Sequence, residues 1–174
     1  MSDLNFKQRL ASLRTFVFDV DGVFTDNRII LLPGTDPVRT FHTRDAYAVQ
    51  LAVKEGLRIV TISGGRSQGV ADSLARMGVQ EVTLGVAAKL TLFAGLVRQG
   101  RDPATTAYMG DDIPDLRVMH RVGFPACPAD AVPEVMAAAA FVSKRPGGQG
   151  CVRDLLEQAM KAQGLWMKDS AHHW

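Results

Sequence analysis

The run Phe16-Val17-Phe18-Asp19-Val20-Asp21-Gly22 constrains this chain more than any other. An apolar stretch of strand type stops at two carboxylates two residues apart, and a glycine turn follows. In a strand, residues i and i+2 share one face, so Asp19 and Asp21 can serve one site if the chain stays extended. Gly22 lets it turn sharply just beyond. Two carboxylates that close repel unless a cation or a shared proton sits between them. The pair reads as a nucleophile and its proton donor at the end of a buried strand, with a divalent metal held by oxygen ligands. Mg²⁺ is the expected ion, and Mn²⁺ or Co²⁺ are possible substitutes because hard oxygen ligands accept several ions. Taken alone, an Asp-x-Asp at a strand end serves equally as an Asx-turn or loop cap.

Three later segments weigh against that bland reading. Strand-like Leu57-Arg58-Ile59-Val60-Thr61-Ile62 runs into Ser63-Gly64-Gly65-Arg66-Ser67, a hydroxyl and glycine loop able to offer donors to a phosphate. Lys89 stands as a single cation in the small-residue segment Gly85-Val86-Ala87-Ala88-Lys89-Leu90. Thr106-Ala107-Tyr108-Met109 leads into a second acidic cluster, Gly110-Asp111-Asp112-Ile113-Pro114-Asp115. Each has a structural explanation by itself, as a helix cap, a solvated position or the acidic start of a helix. Their order is what counts, because each set adjoins a separate strand-to-helix junction, and in an open parallel sheet those junctions converge on one edge.

Strands are predicted near Thr15–Val20, Arg58–Ile62, Glu81–Leu84, Thr105–Met109, Gly123–Ala126 and Phe141–Val142. Helices are predicted near Ala46–Lys54, Ser67–Arg76, Ala88–Arg98, Asp112–Val118, Val132–Ala138 and Cys151–Ala162. The alternation predicts an α/β fold, a Rossmann-like parallel sheet with helices on both faces. Residues 1–165 form one domain in this reading, and 166–174 a frayed C-terminal tail. In the last helix, Val152, Leu155, Leu156, Ala159 and Met160 recur at helical spacing and mark a core face.

Composition excludes other classes. The chain has 174 residues and a net charge of +2, with basic residues dispersed rather than gathered in the stripe of a nucleic-acid reader. No apolar run approaches a membrane span, and the start lacks a signal-peptide core. Cys127 and Cys151 read as small buried residues of a reducing compartment. A cytoplasmic protein is expected, without nucleic-acid or membrane partners.

One segment breaks the alternation. Arg28-Ile29-Ile30-Leu31-Leu32 and Val38-Arg39-Thr40-Phe41, joined by Pro33-Gly34-Thr35-Asp36-Pro37, read as a β-hairpin flap over about residues 28–41, directly after the first strand. Four consecutive apolar residues leave it no clean solvent face, and a lone hairpin is marginal. The intervals between motifs are too short for a separate cap domain. Neighbouring subunits are therefore expected to cover the flap and close the site, in a homo-oligomer of closed symmetry.

The ordered set resembles the haloacid dehalogenase superfamily over nearly the whole chain. Asp19-Val20-Asp21 is similar to its first motif, Ser63 to its second, Lys89 to its third and Gly110 to Asp115 to its fourth. An Asp at position 21 is the phosphatase form of the first motif. The resemblance implies catalysis by Asp19, Asp21, Ser63 and Lys89. It implies Mg²⁺ held by the Asp19 and Asp111 carboxylates and the Asp21 backbone carbonyl, with Asp112 or Asp115 completing the outer metal sphere. Three further matches resemble the capless tetrameric phosphatases that act on 3-deoxy-D-manno-octulosonate 8-phosphate. They are Asp19 to Asp26, Phe41-His42-Thr43-Arg44-Asp45-Ala46-Tyr47, and Gly147-Gly148-Gln149-Gly150-Cys151-Val152-Arg153-Asp154. What this implies is a small-molecule sugar-phosphate substrate of lipopolysaccharide precursor biosynthesis, contacted by His42, Thr43, Arg44, Asp45, Ala46, Arg66 and Lys89. It also implies a tail around Gly147, Gly148 and Gly150 lying against a neighbour's site in a tetramer. The chain departs from the family pattern at Ala46, usually Gly, and at Gln50, often Arg. It also carries two glycines, Gly64-Gly65, where many members have one, and has Leu74 where an arginine is often placed.

Three rivals share parts of the residue set. One is a phosphatase for a nonulosonate 9-phosphate or another sugar phosphate. The second is a phospho-receiver domain, whose phosphorylated Asp normally sits on a later strand. The third is a non-catalytic oligomerisation module, which has no need to retain Asp19, Asp21, Ser63, Lys89 and Asp111 together.

Overall fold

The computed structural model describes residues 5–173; Met1–Leu4, within the start read for a leader, and the final Trp174 lie outside the described residues. Six strands form one parallel sheet: β1 (Thr15–Phe18), β2 (Arg58–Ile62), β3 (Glu81–Thr83), β4 (Thr106–Met109), β5 (Phe124–Cys127) and β6 (Phe141–Val142). They lie in the order β3-β2-β1-β4-β5-β6. β1 sits between β2 and β4, with Phe18 level with Thr61 on one side and Met109 on the other. The order reverses at β1, so the crevice beyond the C-terminal ends of β1 and β4 is where a doubly wound sheet holds its ligand.

Alternation along the strands sends residues to two cores. On one face Phe16, Phe18, Ile59, Ala107 and Met109 pack with α1 (Phe6–Ser12), α2 (Thr43–Lys54), α3 (Gln68–Arg76) and α7 (Cys151–Ala162). On the other, Val17, Val60, Ile62 and Tyr108 meet α4 (Lys89–Arg98), α5 (Leu116–Met119) and α6 (Pro133–Ala138). Both faces are buried, as the near-continuous apolar strands require.

The structure differs from the sequence expectations in four places. A helix, α1, precedes β1; Asn5 caps it reciprocally with Gln8, a short-range signal hidden in a polar segment. The helix expected over Asp112–Val118 divides into a 3-10 turn at Ile113–Asp115 and then α5, the first turn being closed by a reciprocal cap between Asp112 and Asp115. The flap is not two strands. Among the described residues one antiparallel bridge joins Ile30 to Val38, through reciprocal N–H to O bonds of 3.0 Å. Pro33 and Pro37 remove two donors from an isolated pair that is already marginal. The tail, expected to fray, instead docks on α2. Asp169–His172 makes a 3-10 turn, the Tyr47 hydroxyl donates to the Ala171 carbonyl at 2.5 Å, and Lys168 pairs with Glu55 at 3.1 Å.

Candidate active site

Asp19, Asp21, Asn27, Ser63, Gly64, Gly65, Lys89, Asp111 and Asp115 line one cleft of about 570 Å³ at the C-terminal edge of the sheet. Asp19 directly follows β1, and its N–H donates to the Met109 carbonyl of β4 at 3.0 Å, which ties the first acidic loop to the second. Ser63 follows β2 and is buried, and its Oγ accepts the Gly65 N–H at 3.2 Å. Lys89 opens α4, where a cation faces the positive end of the helix dipole. Two carboxylates compensate it. Its Nζ lies 2.9 Å from Asp19 Oδ2 and 2.7 Å from Asp115 Oδ1, with all three side chains at least nine-tenths buried.

Asp115 is saturated by donors. Besides Lys89, the Tyr108 hydroxyl donates to its Oδ1 at 2.5 Å, and the N–H groups of Asp111 and Asp112 donate to Oδ2 at 3.1 and 3.3 Å. Gly110 permits this closeness, since a Cβ there would sit 2.3 Å from the Asp115 carboxyl carbon. Asp111 is buried and accepts from Asn27 Nδ2 at 2.7 Å. Asp112 is exposed and caps the 3-10 turn through the Ile113 N–H at 2.7 Å.

The donor set fits a divalent cation. Asp19, Asp111 and Asp115 each offer an oxygen within 4.8 Å of the others. Three carboxylates against one ammonium leave a surplus of two negative charges. Asp19 Oδ1 is buried with no hydrogen-bond partner among the described residues, a costly state that a cation relieves. Because donors already saturate Asp115, it anchors the loop and Lys89, and Asp19 and Asp111 are left as the carboxylates with an oxygen that could hold a cation. Burial, then the Asp115 charge, push the Asp19 carboxyl up to about 6, with Lys89 opposing. Burial and the Asp19 and Asp115 charges push Asp111 up to about 7, with the Asn27 bond opposing.

Not every expected residue reaches this cleft. His42 and Arg44 line a separate pocket of about 820 Å³ with Lys144, Arg145, Gln149, Gly150 and Arg153. Thr43 begins α2 and is exposed, Asp45 is buried and Ala46 half-buried on the same helix. Asp45 Oδ1 accepts the Arg153 N–H at the start of α7 at 2.6 Å, and burial raises its carboxyl to about 6. It therefore joins two helices. Arg66 folds over Gly85, where a Cβ would meet its Nε, and lines side pockets rather than the cleft. The glycine-rich segment approaches its own chain closely. A Cβ at Gly147 would lie 2.1 Å from the Gly22 carbonyl oxygen, and the Gly148 N–H donates to Val23 O at 2.9 Å. Gly150 takes a left-handed conformation at the cap of α7. Gly147 and Gly148 thus pack closely against the loop after β1 in their own chain.

Asn27, Tyr108 and Arg39 were not singled out from sequence. Asn27, with φ of 64°, holds Asp111, and its signal was an Asx residue just past the acidic strand end. Tyr108 is a buried hydroxyl in an apolar strand, which must find a partner. Arg39 comes from the flap and pairs with Asp21, Nε to Oδ1 at 2.5 Å; nothing in the sequence pointed to that contact.

A three-layer sheet with a nucleophile-type Asp after β1, a hydroxyl after β2, a lysine opening α4 and acids after β4 defines a metal-dependent phosphohydrolase of the haloacid dehalogenase superfamily. No family model matches the chain. It is 32% identical over 154 residues to the 3-deoxy-D-manno-octulosonate 8-phosphate phosphatase of Escherichia coli K12, covering 88% of this chain and 82% of that one. The Moraxella catarrhalis enzyme of that name, solved in complex with magnesium ion, phosphate ion and KDO, superposes with a TM-score of 0.87 at 28% identity, covering 91% of each chain. The cobalt-bound form from Haemophilus influenzae gives a TM-score of 0.88 at 28% identity, covering 95% of this chain and 99% of that one. This chain belongs to the 3-deoxy-D-manno-octulosonate 8-phosphate phosphatase family. Among the described residues, no helix is long and apolar enough to cross a membrane.

The raised acids link metal, pH and stability. Below about pH 4 the folded and unfolded carboxyls are both protonated. As pH rises from there to about 7, the unfolded chain ionises first, because the native values of Asp19 and Asp111 are about 6 and about 7. The native state then binds more protons, so metal-free stability should fall with rising pH across that window and level off above it. A cation that selects the ionised acids reverses the penalty. The rise in Tm on adding Mg²⁺ should be larger near pH 8 than near pH 5, and the stabilisation free energy behind it should reach about 2.7 kcal/mol at a hundredfold excess over Kd. Scanning calorimetry checks both slopes.

Proposed function

We propose that this chain is a Mg²⁺-dependent phosphatase that hydrolyses 3-deoxy-D-manno-octulosonate 8-phosphate to the free sugar acid and phosphate, in lipopolysaccharide precursor biosynthesis in the cytoplasm. The single observation that carries the chemistry is the buried cluster of Asp19, Lys89, Asp111 and Asp115. The substrate rests on the family.

The Asp19 and Asp111 carboxylates and the Asp21 backbone carbonyl are the ligands for Mg²⁺. When bound, the ion neutralises the phosphoryl oxygens and removes the repulsion between two anions. Asp19 attacks phosphorus in line. A bond forms from its carboxylate oxygen to phosphorus, and the bond from phosphorus to the sugar oxygen breaks, its electron pair leaving with that oxygen. Asp21, in its acid form at that moment, gives the departing oxygen its proton and becomes the carboxylate. Water then attacks the aspartyl-phosphate, Asp21 takes a proton from it, and the Asp19 carboxylate is restored. Ser63, the N–H groups of its glycine loop and Lys89 hold the remaining oxygens as charge shifts. Asp115 and Tyr108 keep Lys89 in place, and Asp112 shapes the loop beneath.

The sugar acid reaches beyond the cleft. His42, Thr43, Arg44 and Ala46, at the start of α2 and outside the cleft of their own chain, are the recognition residues supplied across a subunit boundary in this reading, while buried Asp45 holds that helix start to α7 and Arg66 adjoins Asp21 and Ser63 of its own chain. Support for an assembly comes from the flap, where Ile29, Ile30, Leu32 and Val38 are exposed and Leu31 is 72% exposed. Side chains of that kind call for a partner. A second copy fits, in the homotetramer the family resemblance implies.

Phosphate release from a panel of sugar phosphates tests the substrate. Release should require Mg²⁺, be fastest on 3-deoxy-D-manno-octulosonate 8-phosphate and fall by at least about 10³-fold in Asp19→Asn, which removes the nucleophile. A preference for a nonulosonate 9-phosphate would keep the chemistry and change the substrate. For the assembly, Leu31→Asp should shift the sedimentation coefficient to that of a monomer while the far-UV circular dichroism stays native.

A further inference from the structure

The Asp21 side chain has two hydrogen bonds among the described residues, and both come from one side chain. Arg39 Nε donates to Oδ1 at 2.5 Å and Arg39 Nη2 to Oδ2 at 3.1 Å. Such a two-pronged fork fixes a carboxylate in direction as well as position. The Arg39 side chain is only 8% exposed although it leaves a flap whose apolar residues face solvent, while Asp21 is 30% exposed at the cleft. Its Nη1 donates to Pro37 O at 3.2 Å, so the guanidinium also ties the returning arm of the flap.

The second glycine of the hydroxyl loop makes room for the pair. A Cβ at Gly65 would stand 2.7 Å from Asp21 Oδ2, which would have to shift, and 3.1 Å from Arg39 Nη2, a tight contact. The loop and the flap thus accommodate the same ion pair.

We propose that Arg39 is a positioning residue for Asp21, its 2.5 Å Nε bond to Oδ1 keeping the carboxyl oriented while Oδ2, at the longer 3.1 Å contact, leaves the fork to carry the proton exchanged with the leaving oxygen, and that Gly65 leaves the space for this contact. The inference rests on the phosphatase reading above. It makes the flap part of the catalytic apparatus of its own chain, in addition to any surface it offers a neighbour.

The leaving group provides the test. A sugar alkoxide needs a proton to depart, whereas p-nitrophenolate does not, so a residue acting through Asp21 affects the two unequally. In Arg39→Met, kcat on the sugar phosphate should fall about tenfold or more relative to kcat on p-nitrophenyl phosphate, with KM for the sugar phosphate little changed. Arg39→Lys should restore part of that ratio, since an ammonium bonds one oxygen but lacks the fork. Equal losses on both substrates, or an unaltered ratio, would overturn the proposal. A readout without metal or turnover accompanies it. The urea midpoint shifts of Arg39→Met and Asp21→Asn should be non-additive in the double variant, and additive shifts would contradict the pairing. Wild-type protein that releases no phosphate from either substrate with Mg²⁺ would instead sink the phosphatase reading.

Discussion

The site depends on a buried ammonium, Lys89, held between Asp19 and Asp115. In a low-dielectric setting neither carboxylate nor ammonium is tolerable alone, and removing one partner of such a group costs about 3–5 kcal/mol. The triad also fixes three chain segments. Asp19 belongs to the end of β1, Lys89 to the start of α4, and Asp115 to the turn after β4. One set of charges therefore decides how three strand-to-helix junctions stand relative to each other. It leaves Asp19 Oδ1 bare and faced by Asp111, so the same arrangement that stabilises the lysine creates the demand for a divalent ion.

Close backbone approach completes the arrangement. Gly22, at φ of 84°, leaves no room for a Cβ, which would fall 2.0 Å from Asp111 Oδ2. Gly147 lies against its carbonyl from the other side. The loop after β1 is clamped between the second acidic loop and the start of α7, and α7 is in turn joined to α2 through Asp45 and the Arg153 N–H. A core helix with no residue in the cleft thereby holds the cleft's geometry. In Arg39 the flap makes its own connection to the same loop.

Much of this was legible in the sequence because it is carried by local pattern. The apolar strands ending in Asp19, Ser63 and Asp111 gave both the parallel sheet and the converging edge, since period and position in a βα unit depend on neighbours in sequence. Cys151–Ala162 was legible from its apolar spacing. What escaped depends on contacts between distant segments. The Arg39–Asp21 fork, the Asn27–Asp111 bond and the Tyr108–Asp115 bond join residues by geometry that no spacing encodes. The flap pairs as a hairpin only at the Ile30–Val38 bridge, because β-type composition does not supply the backbone donors that Pro33 and Pro37 lack. The approach of Gly147 and Gly148 to the backbone of Gly22 to Asp26 is likewise a contact between distant segments.

The central claim is that Asp19 becomes covalently phosphorylated within this charged cluster. Rapid acid quench during turnover of 3-deoxy-D-manno-octulosonate 8-phosphate with Mg²⁺, followed by borohydride reduction and peptide mass mapping, tests it directly. The account predicts reduction of Asp19 to homoserine, dependent on both substrate and Mg²⁺. Turnover with an unmodified Asp19, or with the mark on another residue such as Asp111, would contradict it.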